Sequence, residues 1–147
     1  MACTVPGSVL RAGGTGSRIV NVLTDAEYQD VSPTVLIVDD HAAFRALVRA
    51  VLEADGYDVI GEAPDGYGGL SAARELKPDV VLLDVRLPDM DGFAVAGELT
   101  CDGFGPAVVV TSSSEDPLYA GRAQSSGARG FIAKHDVCGA ALDRLLA

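Results

Sequence analysis

Short apolar runs rich in β-branched residues recur along the second part of the sequence, and most of them end at a polar or charged side chain. Continuous runs of this kind, without strict alternation, are typical of strands buried on both faces of a parallel sheet. Glycine and proline residues punctuate the segments between them. The five strands predicted in this way are residues 35–38, 57–63, 80–83, 107–110 and 130–133.

Amphipathic segments separate these strands. After the first strand, apolar residues recur at i, i+3, i+4, i+7 and i+8, which is the spacing of one helix face, and Gly56 ends the segment. A later helix is predicted to begin at Asp116 and Pro117, with the aspartate as cap and the proline in the first helical position, and to end at Gly127. The remaining helices are predicted at residues 66–76, 93–99 and 137–146.

Five strands that alternate with five helices predict an α/β fold, in which a five-stranded parallel sheet carries helices on both faces. This pattern occupies residues 34–147. Residues 1–33 contain a glycine-rich stretch and no sustained period, so we expect a flexible N-terminal tail with at most a helical turn near residues 24–29. We expect no output domain after Leu146.

Charge and hydropathy exclude several classes of protein. The net charge of −10 argues against a nucleic-acid-binding surface, which would be basic. No apolar run approaches the roughly 20 residues of a membrane span, and the first residues do not resemble a secretory signal. The three cysteines have neither disulfide nor zinc-site spacing. These features predict a soluble, cytoplasmic protein that binds neither nucleic acid nor membrane.

Polar side chains follow four of the predicted strands at the edge where their carboxyl ends meet, which is where open parallel sheets form their sites. Three carboxylates at one edge repel one another, and a hard cation relieves that repulsion. Mg²⁺ takes oxygen ligands and commonly shares them with a phosphate group, so the cluster predicts Mg²⁺ (or Mn²⁺) together with phosphate. Carboxylates can also form aspartyl-phosphates. The clustered residues are Asp39, Asp40, Asp84, Thr111, Ser112 and Lys134.

Asp84 is the best candidate for the nucleophile, because it ends the middle strand of the predicted sheet and precedes a turn-rich loop. Within that loop, Asp89 and Asp91 are predicted to form the turn rather than to bind a metal. His41 has no predicted role.

Four segments carry a family resemblance: residues 35–41, 82–92, 110–112 and 130–134. Each is weak alone, but in this order and at these strand ends they resemble the signature segments of response-regulator receiver domains of two-component signalling. The resemblance covers nearly all of residues 34–147. It implies a flavodoxin-like (βα)5 fold and a signalling function rather than metabolic catalysis, with slow self-dephosphorylation.

The resemblance also implies roles at the metal. Asp84 is the phosphoacceptor. Asp40 and Asp84 bind Mg²⁺ through their side chains, Arg86 binds it through its backbone carbonyl, and Asp39 acts mostly through water.

Further roles follow for switching and partners. Thr111 and Lys134 bind the phosphoryl group, and Phe131 is the aromatic switch residue coupled to Thr111. A sensor histidine kinase or phosphotransfer protein is the expected phosphodonor. The face formed by the fourth helix, fifth strand and fifth helix is the expected surface for a downstream protein or for a second copy of the chain.

Two positions depart from common family usage and are hypothesised to set the lifetime of the phosphorylated state. They are Arg86, which is large and charged, and Ser112, where alanine is frequent. His135 also replaces a frequent proline after Lys134, which does not argue against activity.

Three other functions remain open. A degenerate receiver would bind proteins without taking phosphate. An aspartate-dependent phosphohydrolase would need a second acid at the position of Arg86, which counts against it. A flavodoxin-like cofactor carrier would place FMN phosphate against Asp39 and Asp40, which would repel it.

Overall fold

The structure is a computed structural model that describes residues 32–103 and 105–147. Residues Pro33–Ala147 form one compact unit. The predicted tail, with its helical turn near residues 24–29, lies outside the described residues except for its last two positions.

Five parallel strands form one sheet, as predicted. The order across the sheet is β2-β1-β3-β4-β5, which places β3 in the centre. Registers are regular except for an irregularity between Val35 and Leu36, where β1 pairs with β2. The strands are β1 (Thr34–Val38), β2 (Asp58–Ala63), β3 (Val80–Asp84), β4 (Ala107–Ser112) and β5 (Gly130–Ala133).

Helices cover both faces of this sheet, and alternate residues of the strands pack against them. Leu36 and Val38 join the core cluster beneath the second to fourth helices, whereas Val35 and Ile37 join the cluster beneath the first and fifth. All four are fully buried, which stabilises the fold by about 1.5–3 kcal/mol for each large side chain. The helices are α1 (Ala42–Ala54), α2 (Gly66–Leu76), α3 (Gly92–Thr100), α4 (Tyr119–Ser125) and α5 (Gly139–Leu146).

The start of α4 differs from the prediction. The helix begins at Tyr119, so Asp116 and Pro117 precede it. The Asp116 carboxylate accepts a hydrogen bond from the backbone N–H of Leu118 at 2.9 Å, and its carbonyl accepts one from Tyr119 at 3.0 Å. Asp116 therefore caps a turn that leads into the helix, and the helix itself begins two residues later than predicted.

The last helix also begins later than predicted. A 3₁₀ turn, Lys134–Asp136, follows β5, and α5 begins only at Gly139. A residue distant in sequence caps this helix: the Asp55 carboxylate accepts a hydrogen bond from the Gly139 N–H at 2.7 Å. The turn after α1 thus sets the first residue of α5.

A second contact ties α5 to the same region and gives a testable prediction. The hydroxyl of Tyr57 donates to Asp143, and burial together with this bond raises the pKa of Tyr57. We expect Tyr57→Phe to lower the free energy of unfolding by about 1.5 kcal/mol, because a hydrogen bond to a charged group is lost. Urea unfolding measures this. Tyr67→Phe is the control, since Tyr67 is exposed; equal midpoints for both variants would contradict the prediction.

Candidate functional site

The carboxyl ends of β1, β3, β4 and β5 bring the sequence-predicted polar residues to one edge of the sheet. Asp39 and Asp40 directly follow β1, and Asp84 is the last residue of β3. Asp84 pairs in register with Thr111 of β4. Parallel strands with this register must end side by side, so the cluster follows from the topology.

Lys134 lies between two buried carboxylates. Its ammonium nitrogen is 2.7 Å from Oδ2 of Asp39 and 3.4 Å from Oδ2 of Asp84. The Asp39 side chain is only 1% exposed, and its Oδ2 atom has no hydrogen bond of suitable geometry. Because the Lys134 nitrogen is only 2.7 Å away, this oxygen forms an ion pair with Lys134. The negative charge of Asp39 is therefore balanced mainly by one lysine.

Asp84 is held in a less favourable environment for its charge. Burial raises the pKa of its carboxyl, and the negative charge of Asp39 raises it further. Lys134 and the backbone N–H of Arg86 lower the pKa in part but do not cancel those effects. A cation that approaches Asp84 would therefore stabilise its ionised form.

The residues present fit a divalent cation. Asp39, Asp40, His41 and Asp84 each offer a ligand atom, and these atoms lie within 4.8 Å of one another. Three of the four donors are carboxylate oxygens, which suit Mg²⁺ or Mn²⁺. The fourth is an imidazole nitrogen: Nδ1 of His41 is 3.1 Å from Asp40 and 3.2 Å from Asp39.

The loop after Asp84 is closed on itself at its base. Gly92 donates a backbone hydrogen bond to Val85 at 2.7 Å, and Arg86 forms an antiparallel bridge with Asp91. A Cβ atom at position 92 would overlap the carbonyl oxygen of Asp84, so this close approach requires glycine. Arg86 itself is exposed, and its N–H points to Oδ1 of Asp84 at 3.4 Å.

Thr111 and Ser112 end β4 as buried residues, 1% and 3% exposed. The hydroxyl oxygen of Ser112 accepts a hydrogen bond from the Ser114 N–H at 3.0 Å. Ser112 therefore lies beside the site, but its hydroxyl is already engaged by the following turn.

Phe131 is partly buried on β5 and belongs to an aromatic row. Its ring centroid is 5.5 Å from that of Tyr119, which lies 5.8 Å from that of Phe93. The row connects β5 through α4 to α3. Phe131 thus contacts the core and also lines a shallow groove with residues of α4 and α5.

Sequence reasoning missed three residues around the cluster. His41 contacts both Asp39 and Asp40, and its place directly after them was the available signal. The Phe44 ring lies 4.6 Å from the Lys134 ammonium, a cation–π distance. Asp89 contacts the first turn of α2, and no local pattern in the sequence indicates that partner.

Known proteins share this fold and this order of segments. BvgA of Bordetella pertussis is 42% identical over 102 residues, which cover 69% of this chain and 49% of the relative. The transcriptional regulatory protein PdtaR of Mycobacterium tuberculosis is 37% identical over 111 residues, covering 76% of this chain and 53% of the relative. The chain thus aligns with about half the length of these relatives.

A solved structure and a family description agree with these relatives. The signal receiver domain of NarL from Mycobacterium tuberculosis matches with a TM-score of 0.72 and 33% identity, covering 79% of this chain and 98% of that domain. Within residues 32–103 and 105–147, no helix has the length and hydropathy needed to cross a membrane. Residues 35–139 match the family model of the response regulator receiver domain. This chain therefore belongs to the response regulator receiver domain family.

Proposed function

We propose that this chain accepts a phosphoryl group on Asp84 in a Mg²⁺-dependent reaction and changes conformation in response. The observation that carries the proposal is the placement of Asp84: it ends the central strand, is buried, and faces the Lys134 ammonium and two further aspartates. Residues 34–147 would form the phosphoacceptor domain, and residues 1–33 its N-terminal tail.

The chemistry is one displacement at phosphorus. An oxygen of Asp84 forms the new O–P bond while the P–N bond of a phosphohistidine donor breaks, and the imidazole nitrogen keeps the bonding pair. Mg²⁺ or Mn²⁺ supplies positive charge to the phosphoryl oxygens when bound. Asp39, Asp40, Asp84 and the backbone carbonyl of Arg86 would hold the cation.

Two residues would then hold the product. The Lys134 ammonium is within 3.4 Å of Asp84 and can transfer its contact to a phosphoryl oxygen. Thr111 is the register partner of Asp84, and its hydroxyl would donate a hydrogen bond to a second phosphoryl oxygen. These new contacts would favour one of two pre-existing conformations, with Phe131 reporting the change through its contact with Tyr119.

The expected partners follow from this chemistry. A sensor histidine kinase or a phosphotransfer protein would supply the phosphohistidine, in the cytoplasm. A downstream protein or a second copy of the chain would bind the α4–β5–α5 face, where the groove contains Glu115, Phe131 and Leu145.

Intact mass spectrometry after incubation with acetyl phosphate tests the proposal. We expect one added phosphoryl group when Mg²⁺ is present and none when a chelator replaces it. Beryllofluoride, which mimics the phosphoryl group, provides a second arm for the case of rapid hydrolysis. Absence of both the adduct and Mg²⁺-dependent beryllofluoride binding would remove the phosphoacceptor function and leave a protein-binding module.

Arg86 should influence how long the phosphorylated state lasts. The side chain is exposed two residues past Asp84, where its bulk and charge can limit the approach of water. We expect Arg86→Asn to increase the rate of dephosphorylation several-fold, as followed by the decay of the intact-mass adduct after removal of the phosphodonor. Ser112→Ala should change the rate less, because the Ser112 hydroxyl oxygen already accepts a hydrogen bond. An unchanged rate in Arg86→Asn would end this role for Arg86.

A further inference from the structure

We infer that Asp89 is a positioning residue of the site, which holds the loop carrying Arg86 in place by binding the first turn of α2. The inference rests on the proposed function, because the loop contributes to the site through Arg86. Its evidence lies in contacts that cross from one helix–strand unit to another.

The Asp89 carboxylate bridges the loop and the helix. Its Oδ1 accepts a hydrogen bond from the Gly66 N–H at 2.7 Å, and its Oδ2 accepts one from the Tyr67 N–H at 2.9 Å. These are the first two backbone donors of α2, which the helix itself cannot satisfy. The partners lie more than twenty residues apart in sequence, so the bond is a tertiary contact rather than a turn.

The N-terminus of α2 has its own cap as well. Asp65 is the residue before the helix, and its Oδ1 accepts a hydrogen bond from the Gly68 N–H at 2.7 Å. A helix needs no second carboxylate for capping of the usual kind. Asp89 therefore satisfies different donors, and what it adds to the molecule is a link between α2 and the loop.

Packing reinforces this link at the neighbouring residue. A Cβ atom at Gly66 would lie 2.7 Å from the sulfur and 2.9 Å from the Cβ of Met90. Distances of that size leave no room for a larger residue at position 66. The tip of the loop thus rests on α2 through the hydrogen bonds of Asp89 and through the side chain of Met90.

The loop transmits this anchoring to the site because its base is closed. The bridge between Arg86 and Asp91 and the hydrogen bond from Gly92 to Val85 join its two ends. Asp89 lies midway between the bridged residues. Because the closed base makes the loop move as one unit, release of its tip would shift the backbone at Arg86, whose N–H faces Asp84 and whose carbonyl is the proposed metal ligand.

The charge of Asp89 supports the same arrangement. The backbone N–H groups of Tyr67 and Gly66 lower the pKa of its carboxyl, so the group stays ionised at neutral pH. A carboxylate near the N-terminus of a helix is also favoured by the helix dipole. Groups that hydrogen-bond a metal ligand directly contribute about 10- to 100-fold to metal affinity, so we expect the lower end of that range for Asp89, which acts on Arg86 through the loop backbone.

The experiment compares Mg²⁺ binding to the full chain and three variants by following backbone amide resonances in NMR titrations. Asp89→Ala removes both hydrogen bonds, Asp89→Asn keeps one acceptor oxygen, and Asp65→Ala removes the other cap of the same helix without touching the loop. Thermal unfolding of each metal-free variant measures the purely structural cost.

We expect Asp89→Ala to weaken Mg²⁺ binding roughly 10-fold, Asp89→Asn to show an intermediate loss, and Asp65→Ala to bind Mg²⁺ as the wild type does despite a lowered melting temperature. Equal Mg²⁺ affinity in Asp89→Ala and Asp65→Ala would overturn the inference. If Asp89→Ala does not fold, Asp89→Asn is compared with Asp65→Ala instead, and equal Mg²⁺ affinities would again overturn the inference. A wild-type chain that binds no Mg²⁺ would instead overturn the proposed function, which keeps the two failures distinct.

Discussion

Replacing Asp84 with asparagine should abolish phosphoryl incorporation from acetyl phosphate. The amide is nearly the same size as the carboxylate but lacks the charged oxygen that attacks phosphorus. The other side chains of the cluster can remain in place, because asparagine still accepts a hydrogen bond. The loss should be complete within the detection limit of intact mass spectrometry.

The same substitution should make the metal-free protein more stable. Burial and the charge of Asp39 raise the pKa of Asp84 in the folded state above its ordinary value of 3.8. A raised pKa means that the stability present below the unfolded value is lost as pH rises through the folded value. At neutral pH the ionised Asp84 is therefore a net cost to folding, and Asp84→Asn removes it.

We expect a gain of about 1 kcal/mol at pH 7, or about 3 °C in melting temperature for a chain of this size. The gain should shrink as the pH falls through the folded-state pKa of Asp84, where the wild type takes up its proton. Thermal unfolding in the presence of a chelator measures both effects. Asp58→Asn is a suitable control, since Asp58 is exposed at the far end of β2. A phosphorylated Asp84→Asn variant, or one that is less stable than the wild type, would contradict this account.

Removing the charge of Lys134 should be the most damaging change for stability. Lys134→Met keeps the apolar stem but removes the ammonium group over the Phe44 ring and leaves Asp39 and Asp84 without their shared cation. Removal of one member of a buried ion pair typically costs 3–5 kcal/mol, because the remaining charge stays desolvated. We expect a loss of about 3 kcal/mol in the free energy of unfolding, at the lower end of that range, because the cluster lies at an edge of the sheet where a cation from solution can partly replace the lysine.

The loss should depend on pH and on metal in a defined way. Lys134 lowers the pKa of Asp84, so in Lys134→Met that pKa rises further. The destabilisation should therefore grow as the pH rises through the folded-state pKa of Asp84 toward 7 and shrink as the pH falls, because the protonated carboxyl needs no cation. Millimolar Mg²⁺ should restore part of it, because the cation replaces the missing positive charge.

Urea unfolding at pH 4 and pH 7, with and without Mg²⁺, measures these effects. Lys77→Met is the matched control, because Lys77 is the other lysine of the chain and lies exposed at the end of α2. The control should lose little stability at either pH. A loss for Lys134→Met that is equal at both pH values would show that packing, rather than charge, explains the role of Lys134.

Much of the fold could be predicted from the sequence because its signals are local. A short, continuous apolar run such as residues 80–83, rich in valine and leucine and bounded by turn residues, is typical of a strand buried inside a parallel sheet. The apolar spacing around Val48 and Leu52 likewise indicates the buried face of α1, although Leu47, which shares that spacing, is 62% exposed. The cluster at the sheet edge was predictable for a related reason: strands that all run in one direction must end together, so polar residues after Val38, Leu83 and Val110 must meet.

The contacts between units were not predictable in this way. The start of α5 depends on Asp55, and the anchoring of the loop depends on Asp89, each more than twenty residues from its partner. To a local reading, both aspartates resemble ordinary turn residues. The sequence around an aspartate does not indicate which backbone N–H group another element will bring to its carboxylate.

The sequence by itself determined the number and order of the elements and the identity of the charged residues that share one edge, because hydrophobic period and strand direction are properties of the chain alone. Only the tertiary structure decided how those charges are balanced. Lys134 lies closer to Asp39 than to Asp84, His41 contacts both aspartates after β1, and Asp89 ties the loop to α2. The physical reason is that electrostatic and hydrogen-bond energies depend on distances of a few ångströms, and folding, not sequence separation, sets those distances.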